Sequence, residues 1–146
     1  MVLADGKPNC GMRMIKKKSN KPIPGMRREL TKVFNKYIRL RDRKFGCISC
    51  TTGAVENAGH FKSRGAHPHP SIAFSEMNTH GQCIRCNYTL AGNIPGYTVG
   101  LRNRYGLQIL HDIDTLISVR QNPWTRFEYE QMIILYTKKL KDINAN

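Results

Sequence analysis

The chain has 146 residues, of which 40% are hydrophobic and 23% charged, and its 24 Lys and Arg outweigh 10 Asp and Glu for a net charge of +14. That length fits one domain, or one domain with an arm, and the composition is that of an ordinary globular protein. The charge is not ordinary: such an excess attracts polyanions, nucleic acid first and a membrane surface second. No apolar run approaches the roughly 20 residues that span a bilayer. The start, MVLADGKPNC, lacks a charged segment followed by an apolar one. The expected location is therefore the cytoplasm, where paired cysteines point to metal rather than to disulfides.

Charge is concentrated at the front, where residues 1–46 hold fourteen basic and three acidic side chains. Residues 1–25, with KKKSNKPIPG, read as a flexible basic arm whose Lys16, Lys17 and Lys18 are candidate DNA contacts. Residues 26–146 read as a single domain. From Arg27 to Lys44 the residues Leu30, Val33, Phe34, Tyr37 and Ile38 mark one face of an amphipathic helix. Its other face carries Arg28, Lys32, Lys36, Arg39 and Arg43, of which Arg28, Lys32 and Lys36 are candidate DNA contacts.

Residues 46–95 lack helical periodicity. AVENAGHF and SIAF are predicted as two short strands, separated by the proline-rich loop KSRGAHPHP, and a short helix is expected after Cys83. His67 and His69 belong to that loop and are expected to be exposed. Further on, Leu107, Leu110, Ile113, Leu116 and Ile117 predict one helix and NPWTRFEYEQMIILYTKKLKDI another. In the latter, Thr125 and Glu128 have capping-box spacing and Trp124 and Tyr129 that of a hydrophobic staple. Tyr129, Met132, Ile133, Tyr136 and Leu140 form its expected buried face, and Lys138, Lys139 and Lys141 suit the dipole at its end.

Four of the five cysteines form two Cys-x2-Cys pairs, Cys47/Cys50 and Cys83/Cys86; Cys10 is left without a role. Two such turns can complete a tetrahedral shell of thiolates around Zn2+. A shell of four sulfurs has no open position, so the zinc is expected to be structural and to offset a thin core.

The histidines and asparagines around the cysteines remain. His60 lies at the end of a predicted strand with Lys62 and Arg64 behind it, and Asn78, His80 and Asn87 flank the second cysteine pair. This grouping has the parts for metal-assisted phosphodiester hydrolysis: an imidazole base, amide oxygens suited to Mg2+, and cations for phosphate. The bland alternatives stay open: packed histidines, capping asparagines and solvated charges.

CISC, AGHFKSRGA, NTHGQCIRCN and LAGN resemble the lambda NinG/Rap family of phage recombination endonucleases, zinc-bearing His-Me finger (HNH-type) enzymes. The likeness covers about residues 27–105, and CIRCN…AGN is also similar to the phage junction-resolving endonuclease VII. The resemblance implies an α+β fold with a small zinc-stapled ββα-metal core and flanking helices. It implies Mg2+-dependent (or Mn2+-dependent) endonuclease cleavage of branched double-stranded DNA, Holliday junctions and D-loops among them. His60 would be the general base, Asn78 the middle Asn that braces the finger loop, and Asn87 the Mg2+ ligand. Where the pattern often has an aspartate ligand this chain has Gly59, and His80 is the candidate substitute. Lys62 and Arg64 would hold DNA phosphates. A homodimer and phage or host recombination proteins are the implied partners, in the cytoplasm of an infected or prophage-carrying bacterium. Two other readings use the same residues: a non-catalytic zinc module that binds nucleic acid, and a general HNH nuclease without branch preference.

Overall fold

The computed structural model describes residues 21–145. The element order is helix α1 (Ile23–Asp42), a 3-10 turn (Arg43–Phe45), strand β1 (Asn57–His60), helix α2 (Pro70–Ala73), strand β2 (Thr79–Gln82), a π-helical turn (Arg85–Thr89), and helices α3 (Ile94–Tyr105), α4 (Gln108–Ser118) and α5 (Arg126–Ala145). The fold is thus α+β and mostly helical. Among the described residues no helix is long and apolar enough to cross a membrane.

Helix α1 begins at Ile23 with Pro24 in its first turn, where a missing N–H costs nothing. It therefore takes residues 23–25 from the predicted arm. Lys16, Lys17, Lys18 and Cys10 lie outside the described residues. The predicted apolar face of α1 is the core face: Leu30, Phe34 and Ile38 are fully buried together with Met26. Phe34 meets Phe74 and Tyr136 edge-on, with ring centroids 5.6 and 4.8 Å away. Ala73, Tyr129 and Tyr136 complete this first core, which α5 closes against α1.

Helix α5 starts as its sequence predicts. The Thr125 N–H donates to Glu128 Oε2 at 2.6 Å, and Trp124 packs on Tyr129 at 5.4 Å. Its lysines do not serve the helix end. Lys139 instead pairs with Glu76 and lies over the rings of Tyr37 and Tyr136. Glu76 also accepts from Arg41, Tyr37 and Tyr136, and so ties both long helices to the loop before β2.

SIAF is not a strand. Pro70 occupies the first position of α2, and the His69 ring accepts the Ser71 N–H at 3.2 Å, which starts a helical turn instead. The partner of β1 is β2, and the two run antiparallel with Asn57 opposite Gln82 and His60 opposite Thr79. Every residue of β2 is buried. THGQ escapes a hydrophobic-alternation reading because its buried side chains are polar, with His80 bonded to Tyr97 and the Gln82 amide nitrogen to Ser49 and Gly92. Helix α3, also absent from the predicted elements, packs Tyr97 and Leu101 with Ile48 and with Ile113 of α4 into a second core.

Candidate functional site

Each cysteine pair sits in a tight turn, and the four sulfurs of Cys47, Cys50, Cys83 and Cys86 all lie within 4.8 Å of one another. Sulfurs around one tetrahedral Zn2+ are about 3.8 Å apart, given Zn–S bonds of ~2.3 Å; Cys50 and Cys83 are 3.9 Å apart. The turns supply donors aimed at these sulfurs. The N–H groups of Gly53 and Cys86 point at Cys50 and Cys83, both at 3.4 Å, and Asn93 Nδ2 donates to Cys86 at 3.3 Å. Such donors suit thiolates rather than thiols. A Cβ on Gly53 would come within 2.7 Å of the Cys83 sulfur, so only glycine fits beside the cluster. The four cysteines could therefore hold zinc, with Asn93 supporting Cys86.

His60 ends β1 on the same face as Ala58, toward the first core. Its Nε2 lies 2.8 Å from the Ala73 carbonyl oxygen. A carbonyl can only accept, so Nε2 carries the proton and Nδ1 the lone pair. Burial lowers the pKa of the ring to about 4, Arg64 pushes the same way, and the bond to Ala73 opposes both.

Asn78 is fully buried and committed to backbone. Its Oδ1 accepts the Lys62 N–H at 2.8 Å, and its Nδ2 donates to the carbonyls of Lys62 and Ile72 at 3.0 and 3.3 Å. It closes the loop that follows His60, so its place is that of a brace.

His80 lies inside the core. It is 1% exposed, its Nδ1 is 3.1 Å from the Tyr97 hydroxyl, and the Tyr105 ring covers it at 5.1 Å. A hydrated cation has no room there. Burial, followed by the charge of Arg41, pushes its pKa down to about 3, so it is a neutral core residue.

Asn87 lies in the π-helical turn directly after Cys86, half-buried, and its carboxamide has no hydrogen-bond partner among the described residues. Its peptide is held at both ends: its N–H donates to the Cys83 carbonyl and its carbonyl accepts from Gly92. An amide oxygen is a suitable ligand for a hard cation that keeps most of its waters. No hydrogen bond among the described residues joins the His60 ring to Asn87. His60 belongs with Asn78 and Ala73, Asn87 with the cysteines and Gly92, and the β1–β2 hairpin connects the two groups.

The basic residues divide. Lys62 is engaged, at 2.8 Å from Asp114 of α4. Arg28, Lys32, Lys36 and Arg64 are exposed and enter no ion pair among the described residues. Arg64, from the loop after β1, joins Arg27, Arg28 and Lys32 of α1 in lining one cleft of about 440 Å3. Arg27 was not singled out in the sequence because it sits at the margin of the basic face. It donates to the Pro68 carbonyl at 2.7 Å, which holds it in that wall. His69 is not a free loop residue, since it also bonds the Asn122 carbonyl at 2.7 Å.

The family described as "Bacteriophage Lambda NinG protein" matches residues 7–146. The chain belongs to the NinG family. It is 35% identical over 131 residues to Protein ninG of Escherichia phage 933W, an alignment covering 88% of this chain and 63% of that protein. To Protein ninG of Salmonella phage P22 and of Escherichia phage lambda it is 34% identical, covering 88% of this chain and 63% and 62% of those proteins. The chain thus spans less than two thirds of the length of these NinG relatives. No solved structure matches it.

Proposed function

We propose that this NinG-family chain is a metal-dependent endonuclease of branched DNA, with zinc in the four-cysteine cluster as its structural metal. The observation that carries the reading is the His60 ring. Its proton is committed to the Ala73 carbonyl, its other nitrogen keeps a lone pair, and burial keeps it neutral at physiological pH. That is the state a general base needs to take a proton from water. The β1–β2 hairpin, followed by the turn that carries Asn87 and then α3, supports a His-Me arrangement of strand, strand and helix.

In this reading Asn87 would hold Mg2+ (or Mn2+), which would supply positive charge for the scissile phosphate and the leaving oxygen. Asn78 keeps the loop after His60 in place. The cleft of Arg27, Arg28, Lys32 and Arg64 takes the DNA backbone, and the Arg64 charge already reaches His60. Phosphate contacts position DNA without reading its sequence, which suits an enzyme that selects shape. Branch selectivity, a homodimer, recombination partners and action in the host cytoplasm belong to the same proposal.

The test is cleavage of a four-way junction and of linear duplex by the zinc-loaded chain, with and without Mg2+. Junction cutting should require Mg2+, and His60→Ala should abolish it while junction affinity is retained. A His60→Ala protein that still cuts sinks the base assignment. A second reading, the non-catalytic module, is favoured by the unpaired basic residues, which serve binding as well as cleavage. Such a protein would retard DNA in gels and leave it intact under every metal condition.

A further inference from the structure

Gln82, the last residue of β2, touches three segments through one carboxamide. Its Nε2 donates to Ser49 Oγ at 2.6 Å, inside the first cysteine turn, and to the Gly92 carbonyl at 2.7 Å. Gly92 in turn donates its N–H to the Asn87 carbonyl at 3.1 Å, so Gln82 is two hydrogen bonds from the backbone of the proposed cation ligand. Its Oε1 is buried and has no hydrogen-bond partner among the described residues. That oxygen is pressed against Gly59, the residue before His60: a Cβ at position 59 would lie 1.9 Å from Oε1 and 2.6 Å from Cδ. Leaving a buried amide oxygen unpaired costs about 1–3 kcal/mol, so its retention in a fully buried side chain calls for a compensating role.

We propose that Gln82 is the positioning residue of this site: its carboxamide fills the room of a residue-59 side chain and holds the Asn87 turn against the strand that ends in His60. The proposal rests on the metal-dependent reading given above. It explains why residue 59 is glycine. While Gln82 occupies that space, no acidic side chain can enter at position 59. The cation then depends on a neutral amide whose placement is set by the Gln82–Gly92–Asn87 chain. Outer partners of a metal ligand typically change metal affinity by about 10- to 100-fold.

The experiment uses the zinc-loaded full chain with Mn2+ as the probe, measured by electron paramagnetic resonance, together with zinc content and the thermal midpoint. Gln82→Met keeps the bulk and removes both donated hydrogen bonds. It should retain zinc and weaken Mn2+ binding by about tenfold. In cleavage assays it should raise the half-saturating Mg2+ concentration by a similar factor and leave the rate at saturating Mg2+ little changed. Gly59→Ala should lower the thermal midpoint in the wild-type background and not in a Gln82→Ala background, since the shorter side chain vacates the space. Unchanged Mn2+ affinity in a zinc-retaining Gln82→Met protein overturns the proposal. So does an equal penalty for Gly59→Ala in both backgrounds, and so does zinc loss in Gln82→Met, which would assign Gln82 to the cysteine cluster. A wild-type chain that binds no Mn2+ removes the metal-dependent reading itself, a result seen before any variant is made.

Discussion

The two halves of this molecule are held together by different physics. Between α1 and α5 lies an apolar core of Leu30, Phe34, Ile38, Phe74 and Tyr136, with aromatic rings meeting edge-on. Around the hairpin the buried residues include Asp42, Asn78, Thr79, His80 and Gln82, and the sulfurs of four cysteines form a cluster of their own beside the second core. The first half gains stability from area removed from water. The second adds the smaller cluster of Ile48, Tyr97, Leu101 and Ile113, and depends besides on its polar groups being paired and its sulfurs sharing an ion. The chemistry is proposed for the second half, where side chains are fixed by partners rather than by bulk.

Removing the metal should separate the halves most sharply. Structural zinc contributes roughly 10–16 kcal/mol in isolated zinc-binding peptides. Chelation, or Cys83→Ser, should therefore abolish hydrogen-exchange protection across β1, β2 and the Arg85–Thr89 turn, while amides of α1 and α5 stay protected. Simultaneous loss of protection everywhere would show one cooperative unit in place of two.

The converse experiment is Phe34→Ala. Phe34 is fully buried and shares edge contacts with two rings. The substitution should cost about 3–5 kcal/mol by denaturant unfolding. Below the transition the protein should keep its full zinc content. Zinc released by this distant cavity would mean that the apolar core also shapes the cluster.

The same contrast decides what could be read from the amino-acid order. Leu30, Phe34, Ile38, Tyr129 and Tyr136 announce themselves by helical spacing, because a core face needs only hydrophobicity at the right period. The cysteine turns are legible for a similar reason, since Cys-x2-Cys is a local geometry. Strand β2 is not legible: its inward residues are polar, and their partners come from distant segments, as when Asp42 accepts the Gly81 N–H at 2.7 Å. SIAF misleads because Ile72 and Phe74 are buried by a helical turn that His69 and Pro70 begin. The fate of His80 is equally hidden, since nothing in NTHGQC reveals that Tyr97 and Tyr105 will cover it. Gln82 passes without notice because its function depends on Ser49, Gly59 and Gly92 meeting in space.

Acid should expose the hairpin half next. Burial holds His60 near 4, below the ordinary 6.5, so the free protein keeps a neutral ring down to that pH. The acid limb of kcat/KM for cleavage, which reports the free enzyme, should therefore fall below pH 6.5. A limb at 6.5 or above would mean that the ring titrates as a solvated histidine. Linkage has the same sign: between 6.5 and 4 the unfolded chain binds a proton that the folded one refuses, so stability declines as pH falls through that window. Asp42 and Glu76, where the helices meet the hairpin, titrate too. Desolvation alone would raise both; hydrogen bonds and charge from Arg41 and from Lys139, respectively, outweigh it and hold them below the usual range. Their contribution persists above the carboxylate range and is lost as pH falls through their lowered pKa values, a later step in the same titration.

The smallest effect should come from the start of α5. Thr125 and Glu128 exchange hydrogen bonds, with the Thr125 N–H donating to Oε2 at 2.6 Å and the Glu128 N–H donating back to Oγ1 at 3.3 Å. Thr125→Ala removes the returned bond and should cost about 1 kcal/mol, as cap substitutions do. That corresponds to a fall of roughly 3 °C in thermal midpoint for a chain of this size. Thr125→Ser should restore most of it, because the hydroxyl rather than the methyl group closes the box. Trp124 and Tyr129 keep their ring contact in either variant, which anchors the helix start to the apolar core and limits fraying. Since this end of α5 belongs wholly to the helical half, zinc and Mn2+ affinities should not move. A change in either would mean that strain at one helix end reaches the hairpin, and the division between the halves would have to be redrawn.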